Sequence, residues 1–448
     1  MSRRGETLVR RTLAVTLGVT VMAGAWAHAQ TPQTQTQTPP SQAPAVAERI
    51  TFKDAVDRAL ARNLTIQEAA TDILRADALI RQARSVLFPN ASGNITTTTS
   101  HPITEFNGQA LTPRNSLTAT ASLSQLIYAP VDWALRAQAE DNKVVAERGR
   151  DETRRQIGLA AAQAYLAIIG NRRLAEAAER ARDTAGAHFD LAHQQQEKGS
   201  GSRLNELRAQ QELSTDAASV EDARFAVYEA QEALGVLLAA DGPIDASEDE
   251  PGLDLPPPGS QDDRINSRAD IRLAVARELA AQRVVKDTQK EYLPTISGLF
   301  TPQYLTPDNL FTPDWSMRAQ VLFNINIFDS GLRAARKAER QALLSRTQLE
   351  NAELRRQAAS EIRTFDEAVK SAARALELAR AGAQQAQQVV EIVNVAFRAG
   401  ATTNIEVIDA QRRARDADTT AALTEDRLRR ARLDLLVASG LFPAAGQP

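Results

Sequence analysis

Between residues 358 and 397 the apolar positions fall four and three apart without a slip: Ala358, Ile362, Phe365, Val369, Ala372, Leu376, Ala379, Ala383, Ala386, Val390, Val393 and Phe397. That spacing is a heptad seam and predicts a helix packed along one face against another helix. The many alanines on the seam predict close approach. The helical run spans Leu332 to Phe397. An earlier run from Asp132 to Glu197, rich in Ala, Arg, Glu and Gln, contains no proline. At 1.5 Å per residue such a helix reaches on the order of 100 Å, far more than a compact domain needs.

Each long run stops at a glycine and turns back. After Phe397-Arg398-Ala399 comes Gly400. Thr402 or Thr403 is then placed to cap a new helix, and Glu406 stands three residues beyond Thr403 in capping-box position. A second copy lies 201 residues earlier: Gly199 matches Gly400, and Ala209-Gln210 matches Ala410-Gln411. Return helices are predicted over Leu204 to Ala240 and Thr403 to Gly440. The chain therefore carries two helical-hairpin tips.

Upstream of each long helix the period changes from helical to two. Ile95 to Ser100 is β-prone. Leu117, Ala119, Ala121 and Leu123 alternate with Thr118, Thr120, Ser122 and Ser124. In the second half Trp315, Met317, Ala319, Val321, Phe323, Ile325 and Ile327 share one face, and Ser316, Arg318, Gln320, Asn324 and Asn326 the other. Before each strand pair a helix is predicted, from Ile50 (Thr51 as cap, ending before Pro89) and from Ile271 to Tyr292. Leu293-Pro294-Thr295-Ile296-Ser297-Gly298 echoes Phe88-Pro89-Asn90-Ala91-Ser92-Gly93. The unit is helix, two strands, very long helix, tip and helix, and it occurs twice, over residues 48–241 and 266–441. An internal repeat this regular sets the architecture.

The remaining segments are simple. Residues 1–29 read as a secretory signal: Arg3, Arg4, Arg10 and Arg11, an apolar stretch from Leu13 to Ala25, and Ala27-His28-Ala29 as an Ala-x-Ala cleavage site. Residues 30–47 are Thr-, Gln- and Pro-rich and read as a disordered spacer. Residues 242–265, acidic with Pro243, Pro251, Pro256, Pro257 and Pro258, read as a linker, and 442–448 as a tail. No other stretch approaches the roughly 20 apolar residues of a membrane helix. The 448 residues carry a net charge of −3 and no cysteine. The charge is near neutral and unclustered, so it gives no reason to expect nucleic acid. Without cysteine there is no disulfide, thiolate zinc site or cysteine nucleophile.

Four strands cannot close a barrel, and open edges are not viable in lipid. The alternation of an apolar face with a small polar face suits outer-membrane strands around a wet lumen. If the strands span a membrane, several chains must pool them, and three chains give twelve. The long helices would pool likewise into a hollow cylinder. The alternative is a soluble β-hairpin decorating a coiled coil.

At this point the sequence resembles the TolC-like outer-membrane efflux proteins, from about Arg49 to Leu441. The segments that carry the resemblance are residues 50–63, Tyr292-Leu293-Pro294-Thr295-Ile296, Ile327-Phe328-Asp329-Ser330-Gly331-Leu332, and Ala399 to Gln411. The resemblance implies a mixed fold: a homotrimeric, twelve-stranded transmembrane β-barrel, four strands per chain, continued by a long periplasmic α-helical barrel. It implies contact with outer-membrane lipid, docking of a periplasmic adaptor (membrane fusion) protein, and a link through it to an inner-membrane pump. The implied function is the exit duct of a tripartite efflux or type I secretion system, with no cofactor or metal.

The resemblance also assigns an aperture. The family's two acidic residues after the second tip fall on Glu406 and Asp409, three apart and so on one helix face. Three chains would focus six carboxylates at a narrow mouth, a cation-attracting ring. Read without the resemblance, the same pair is an ordinary solvated helix face. A constricting network of tyrosine, arginine and aspartate near the family's tips has Phe397, Thr402 and Asn205 at its positions here, so the hydroxyl and both charges are gone. Arg208, the repeat counterpart of Asp409, is a candidate partner for it. Lys198, Gly199, Ser200, Arg398 and Gly400 at the tips are candidates for adaptor docking. The strand-to-helix turns differ between repeats: Ala129-Pro130-Val131 against Asp329-Ser330-Gly331.

Little points to catalysis. His188 and His193 are five apart, which splays them around a helix instead of pairing them for zinc, and they read as polar surface residues. There is no Gly-rich phosphate loop after a strand and no Gly-x-Ser-x-Gly elbow. The competing class is an exported coiled-coil adaptor or scaffold. Adaptors, however, flank one hairpin with β-rich lipoyl-like segments, and this chain has two hairpins and no such segment.

Overall fold

A proline opens the first long helix and a glycine closes it, with nothing between to break it. In the computed structural model, which describes residues 47–102, 105–106, 109–110, 113–247, 251–255, 259–308 and 313–443, that helix runs without interruption over Pro130–Glu197. Pro130 takes its first position, where a missing N–H costs nothing. The signal (1–29), all but the last residue of the spacer, and most of the C-terminal tail lie outside the described residues.

In chain order the elements are β1 (Glu48–Ile50), α1 (Phe52–Arg62), α2 (Leu64–Ser85), β2 (Asn90–Thr99), the short β3 (Glu105–Phe106) and β4 (Gln109–Ala110), β5 (Asn115–Tyr128), α3 (Pro130–Glu197) and α4 (Arg203–Leu237). Then come β6 (Ile244–Ala246), α5 (Gln261–Ser267), α6 (Ala269–Asp287), a 3-10 turn (Thr288–Tyr292), β7 (Thr295–Thr306), β8 (Trp315–Asn324), α7 (Leu332–Arg398) and α8 (Asn404–Ala438). The helix expected from Ile50 to before Pro89 is two, α1 and α2, and the one expected over Ile271 to Tyr292 is α6 followed by the 3-10 turn, with α5 preceding it from inside the segment read as a linker. Asn63 leaves the helical region, caps α2 through its side chain and donates to the Leu237 carbonyl, and Arg268 makes the equivalent break between α5 and α6.

One four-stranded antiparallel sheet has the order β2-β5-β7-β8. Register sets its faces, because directly opposed residues point the same way. Ile95, Ala119, Tyr304 and Trp315 form one row across all four strands, and Asn94, Thr120, Gln303 and Ser316 the neighbouring row on the opposite face. The apolar face is open to the surroundings: Ile95, Met317, Val321 and Phe323 are all exposed. The polar face is tied across strands, as where Ser92 Oγ meets Ser122 Oγ at 2.7 Å. Ten to fourteen residues per strand suffice for the apolar band of an outer membrane. β8 ends at Asn324, so Ile325 and Ile327 lie beyond the strand. They alternate correctly but have no β7 residue to pair with, since β7 begins at Thr295 opposite Asn324.

α3 packs along both α4 and α8, and α7 along α8. The heptad seam of α7 is the buried or half-buried stripe throughout, from Ala358 to Phe397. The main core sits at mid-height, where Tyr165, Leu166, Ile168 and Ile169 of α3 pack against Ile50, Ala55, Val56, Ala59, Leu234 and Leu433. The Tyr165 hydroxyl donates to the Ile50 carbonyl at 3.1 Å. The 242–265 segment is not simply a linker. β6 pairs in parallel with β1 and its residues are fully buried, tying the start of the first repeat to its end. Gly235 is obligatory there, because a Cβ would collide with the Gly242 carbonyl oxygen.

Candidate functional site

The two tips have the same backbone. Gly199 and Gly400 both sit at φ 72°, a left-handed conformation that favours glycine. The closing bonds correspond as well: Ser200 N–H donates to the Gln195 carbonyl at 2.9 Å, and Ala401 N–H to the Ala396 carbonyl at 2.8 Å. Ser202 Oγ then accepts from Leu204 N–H and caps α4. Thr403 Oγ1 accepts from Glu406 N–H and caps α8, which settles the choice between Thr402 and Thr403. Lys198, Gly199, Ser200, Arg398 and Gly400 are all exposed.

Behind the tips, side chains join one hairpin to the other. His188 of α3 is buried, and its Nε2 lies 2.6 Å from Asn404 Oδ1 in the first turn of α8. Asn404 Nδ2 donates onward to the Asn205 carbonyl of α4 at 3.4 Å. The ring of Phe397, at the end of α7, meets the His188 ring edge-on with centroids 5.4 Å apart. α7 and α8 thus meet the imidazole of α3, and α4 joins them through Asn404. This corrects the reading of His188 as a surface residue. In α3 it takes an inward position of a stripe with Ala185 and Ala192, spaced three and four, and that spacing was the available signal. Burial holds its pKa below the usual histidine value, with the Asn404 hydrogen bond opposing. His193 is different. Half exposed, it bonds Glu206 Oε1 at 2.9 Å, and Arg203 pairs with the same carboxylate. The Glu206 bond raises the pKa of His193, and the bonds from His193 and Arg203 lower that of Glu206.

Two turns further up α4 and α8 is an ion-pair bridge. Glu212 and Asp216, both 4% exposed, face Arg412 and Arg415. Arg412 Nε lies 3.0 Å from each Glu212 oxygen and its Nη2 2.6 Å from Oε2. Arg415 Nη1 reaches Asp216 at 2.6 Å and Glu212 at 3.4 Å. These charges border a half-open cavity of about 770 Å³ lined by α3, α4, α7 and α8. Sequence reasoning missed this bridge. Its trace is an i, i+4 acidic pair in one repeat and an i, i+3 basic pair near the same register of the other.

The remaining expected aperture residues gather nearby. Arg208, Glu406 and Asp409 line one groove of about 420 Å³, with Gln211, Ile405, Ile408 and Arg412. Glu406 and Asp409 are exposed, and Thr402 and Asn205 partly so. The expected Arg208–Asp409 pair does not form. Asp409 instead pairs with Arg413, one turn along its own helix, at 2.9 Å. A neighbour four residues away on the same helix needs less ordering than a partner across a groove. No cluster of metal-ligating side chains occurs among the described residues. Hydrogen bonds and ion pairs thus form a clasp between the two hairpins behind their tips.

Comparison with known proteins bears on what such a clasp holds. A family model described as outer membrane efflux protein matches residues 55–240 and 262–441, one stretch per repeat. A comparison with curated proteins found no match. Among solved structures, CusC, described in terms of folding and transmembrane channel formation, superposes with a TM-score of 0.78 at 16% identity, covering 88% of this chain and 93% of that one. The outer membrane protein VceC of Vibrio cholerae gives 0.73 at 17%, covering 87% and 96%. The open state of the MtrE outer membrane channel of Neisseria gonorrhoeae gives 0.73 at 16%, covering 87% and 88%. At these identities the likeness is one of fold.

Proposed function

The chain belongs to the outer membrane efflux protein family, and from that membership we propose that it is the exit duct of a tripartite efflux or type I secretion assembly, closed at its periplasmic end by the clasp between its hairpin tips. The family is one of outer-membrane efflux channels, so the protein lies in the outer membrane with a large periplasmic helical part. Its fold is the family's: a twelve-stranded β-barrel of four strands per chain, continued by an α-helical barrel, with the two matched stretches as the internal repeat.

The assembly is a homotrimer. Supporting this, β2 and β8 are the edges of an antiparallel sheet of four strands and so run in opposite directions; copies related by rotation about a barrel axis would set β8 of one antiparallel to β2 of the next. Exposed apolar side chains on α4 (Phe225, Tyr228, Val236) and α7 (Leu349, Leu378, Ile392, Val395) supply faces for neighbouring copies. Substrate is delivered by an inner-membrane pump through a periplasmic adaptor protein. The exposed tip residues Lys198, Gly199, Ser200, Arg398 and Gly400 are the docking points.

The single observation that carries the gating is the pair of buried carboxylates, Glu212 and Asp216, neutralised by arginines of the other hairpin. In the joined state both carboxylates are buried and depend on Arg412 and Arg415, so removing an arginine strands a charge there, whereas in the parted state water reaches the carboxylates. Phe397, Asn205 and His188 extend the clasp toward the tip. Glu406 and Asp409, exposed beside Arg208, form the acidic ring at the mouth. Crosslinking in cells followed by mass spectrometry tests the assembly. Adaptor and pump peptides joined to residues near Gly199 and Gly400 are expected, and crosslinks only to other copies of the chain refute it. Conductance of the purified protein in planar bilayers tests the gate, with rare openings in the wild type and frequent ones after Arg415→Ala.

A further inference from the structure

We propose that the link from His188 through Asn404 to Asn205 is an acid-sensitive latch: a proton taken up by His188 parts the two hairpin tips, so the channel opens as the surrounding pH falls. This rests on the reading of the tips as the gate and adds its regulation.

The geometry dictates the direction. His188 Nε2 faces the side-chain oxygen of Asn404, an acceptor whose amide nitrogen is committed to the Asn205 carbonyl. The ring therefore donates from Nε2, and the next proton must enter at Nδ1. That atom is buried and has no hydrogen-bond partner. A proton there makes the ring a buried cation whose new N–H has nothing to receive it. The ring also abuts the first turn of α8, the positive end of that helix dipole, which disfavours a cation.

Among the described residues no charge offsets this. α7 brings Phe397 to the ring, and α8 brings Asn404. On α4, Glu206 is taken by His193 and Arg203, while Arg208 lies in the groove beside Asp409. At the start of α8, Asp409 is taken by Arg413, and Glu406 faces solvent. On α3 and α7, Asp190, Glu197, Lys198 and Arg398 are exposed. Parting the tips hydrates His188 and restores its usual value near 6.5. Because its pKa is lower in the closed form, the closed form keeps its advantage above about pH 6.5. It loses that advantage as pH falls from there through the depressed value. One proton per chain changes the ratio of open to closed by at most about tenfold per pH unit.

The test is single-channel recording of the purified full-length protein in planar bilayers from pH 7.5 to 5. Wild type should open increasingly below pH 6.5. His188→Gln keeps a donor for Asn404 without titrating, and its profile should be flat. Arg415→Ala, recorded at pH 7.5 alongside, tests the gate itself. If it opens the channel while His188→Gln keeps the wild-type profile, or while wild type is flat with pH, the latch is refuted and the gate stands. If Arg415→Ala has no effect at pH 7.5 in properly assembled protein, the gate is refuted and the latch with it.

Discussion

Replacing Arg415 with alanine isolates the strongest strut of the proposed gate. Its guanidinium is the ion-pair partner of Asp216, whose side chain is only 6% exposed, and it also touches Glu212. Stranding a fully buried carboxylate costs about 3–5 kcal/mol. Arg415 is about a quarter exposed and the adjacent cavity admits water, so a penalty of about 2 kcal/mol per chain is the appropriate scale. All of it falls on the closed state if opening removes the contact, and 2 kcal/mol is roughly a thirtyfold change in the ratio of closed to open. Arg412 is half exposed, so Arg412→Ala should give about 1 kcal/mol or less despite its bidentate grip. Adding Asp216→Asn to Arg415→Ala removes the stranded charge, so the double variant should open less often than Arg415→Ala alone. The assay is open probability in planar bilayers at fixed pH and salt, with assembly checked on heat-resistant oligomers. Arg415→Ala indistinguishable from wild type, in correctly assembled protein, would falsify the argument that the buried carboxylates hold the tips together.

Other predictions follow from the same geometry. Gly400→Ala places a side chain at φ 72° in open space, so only backbone strain of about 1 kcal/mol is added, and faster hydrogen exchange should be confined to the second tip. Gly235→Ala drives a Cβ into the Gly242 carbonyl and should lower the melting temperature by breaking the mid-height core, in contrast to Gly400→Ala. Glu406→Gln with Asp409→Asn should reduce cation over anion selectivity, measured as reversal potential in a salt gradient; an unchanged potential would remove these residues from the mouth. Side-chain NMR of the two tip histidines should find His188 titrating below 6.5 and His193 above it, since burial acts on the first and Glu206 on the second.

Periodicity alone sufficed wherever one physical rule dominated. The seam from Ala358 to Phe397 survives intact because a long helix with one partner must bury the same stripe along its whole length. The two tips were legible because Gly is the favoured residue at the left-handed position that ends such a helix, and a hydroxyl close behind it caps the next. The β7–β8 pairing showed the limit of alternation, which continues past Asn324 after the partner strand has run out. β6 was invisible: three residues inside a Pro- and acid-rich stretch carry no period, and their burial depends on β1 nearly 200 positions away. The clasp was lost for the same reason. Arg208 and Asp409 were paired by register, but register aligns repeats in sequence and not the offset at which helices cross. The real partners, Glu212 with Arg412 and Arg415, are set by that crossing. His188 was misread from its spacing to His193, when its spacing to Ala185 and Ala192 was the informative one.

The central claim is that the channel is shut by contact between its two hairpins, and the absence of native cysteine makes it directly testable. With His188→Cys and Asn404→Cys in one chain, a short bifunctional thiol reagent with a cleavable link ties α3 to the start of α8. Conductance is then recorded before and after cleavage. The account predicts a channel that stays closed while tied, even at acid pH, and recovers openings once the link is cut. Full conductance through a quantitatively crosslinked protein would contradict it.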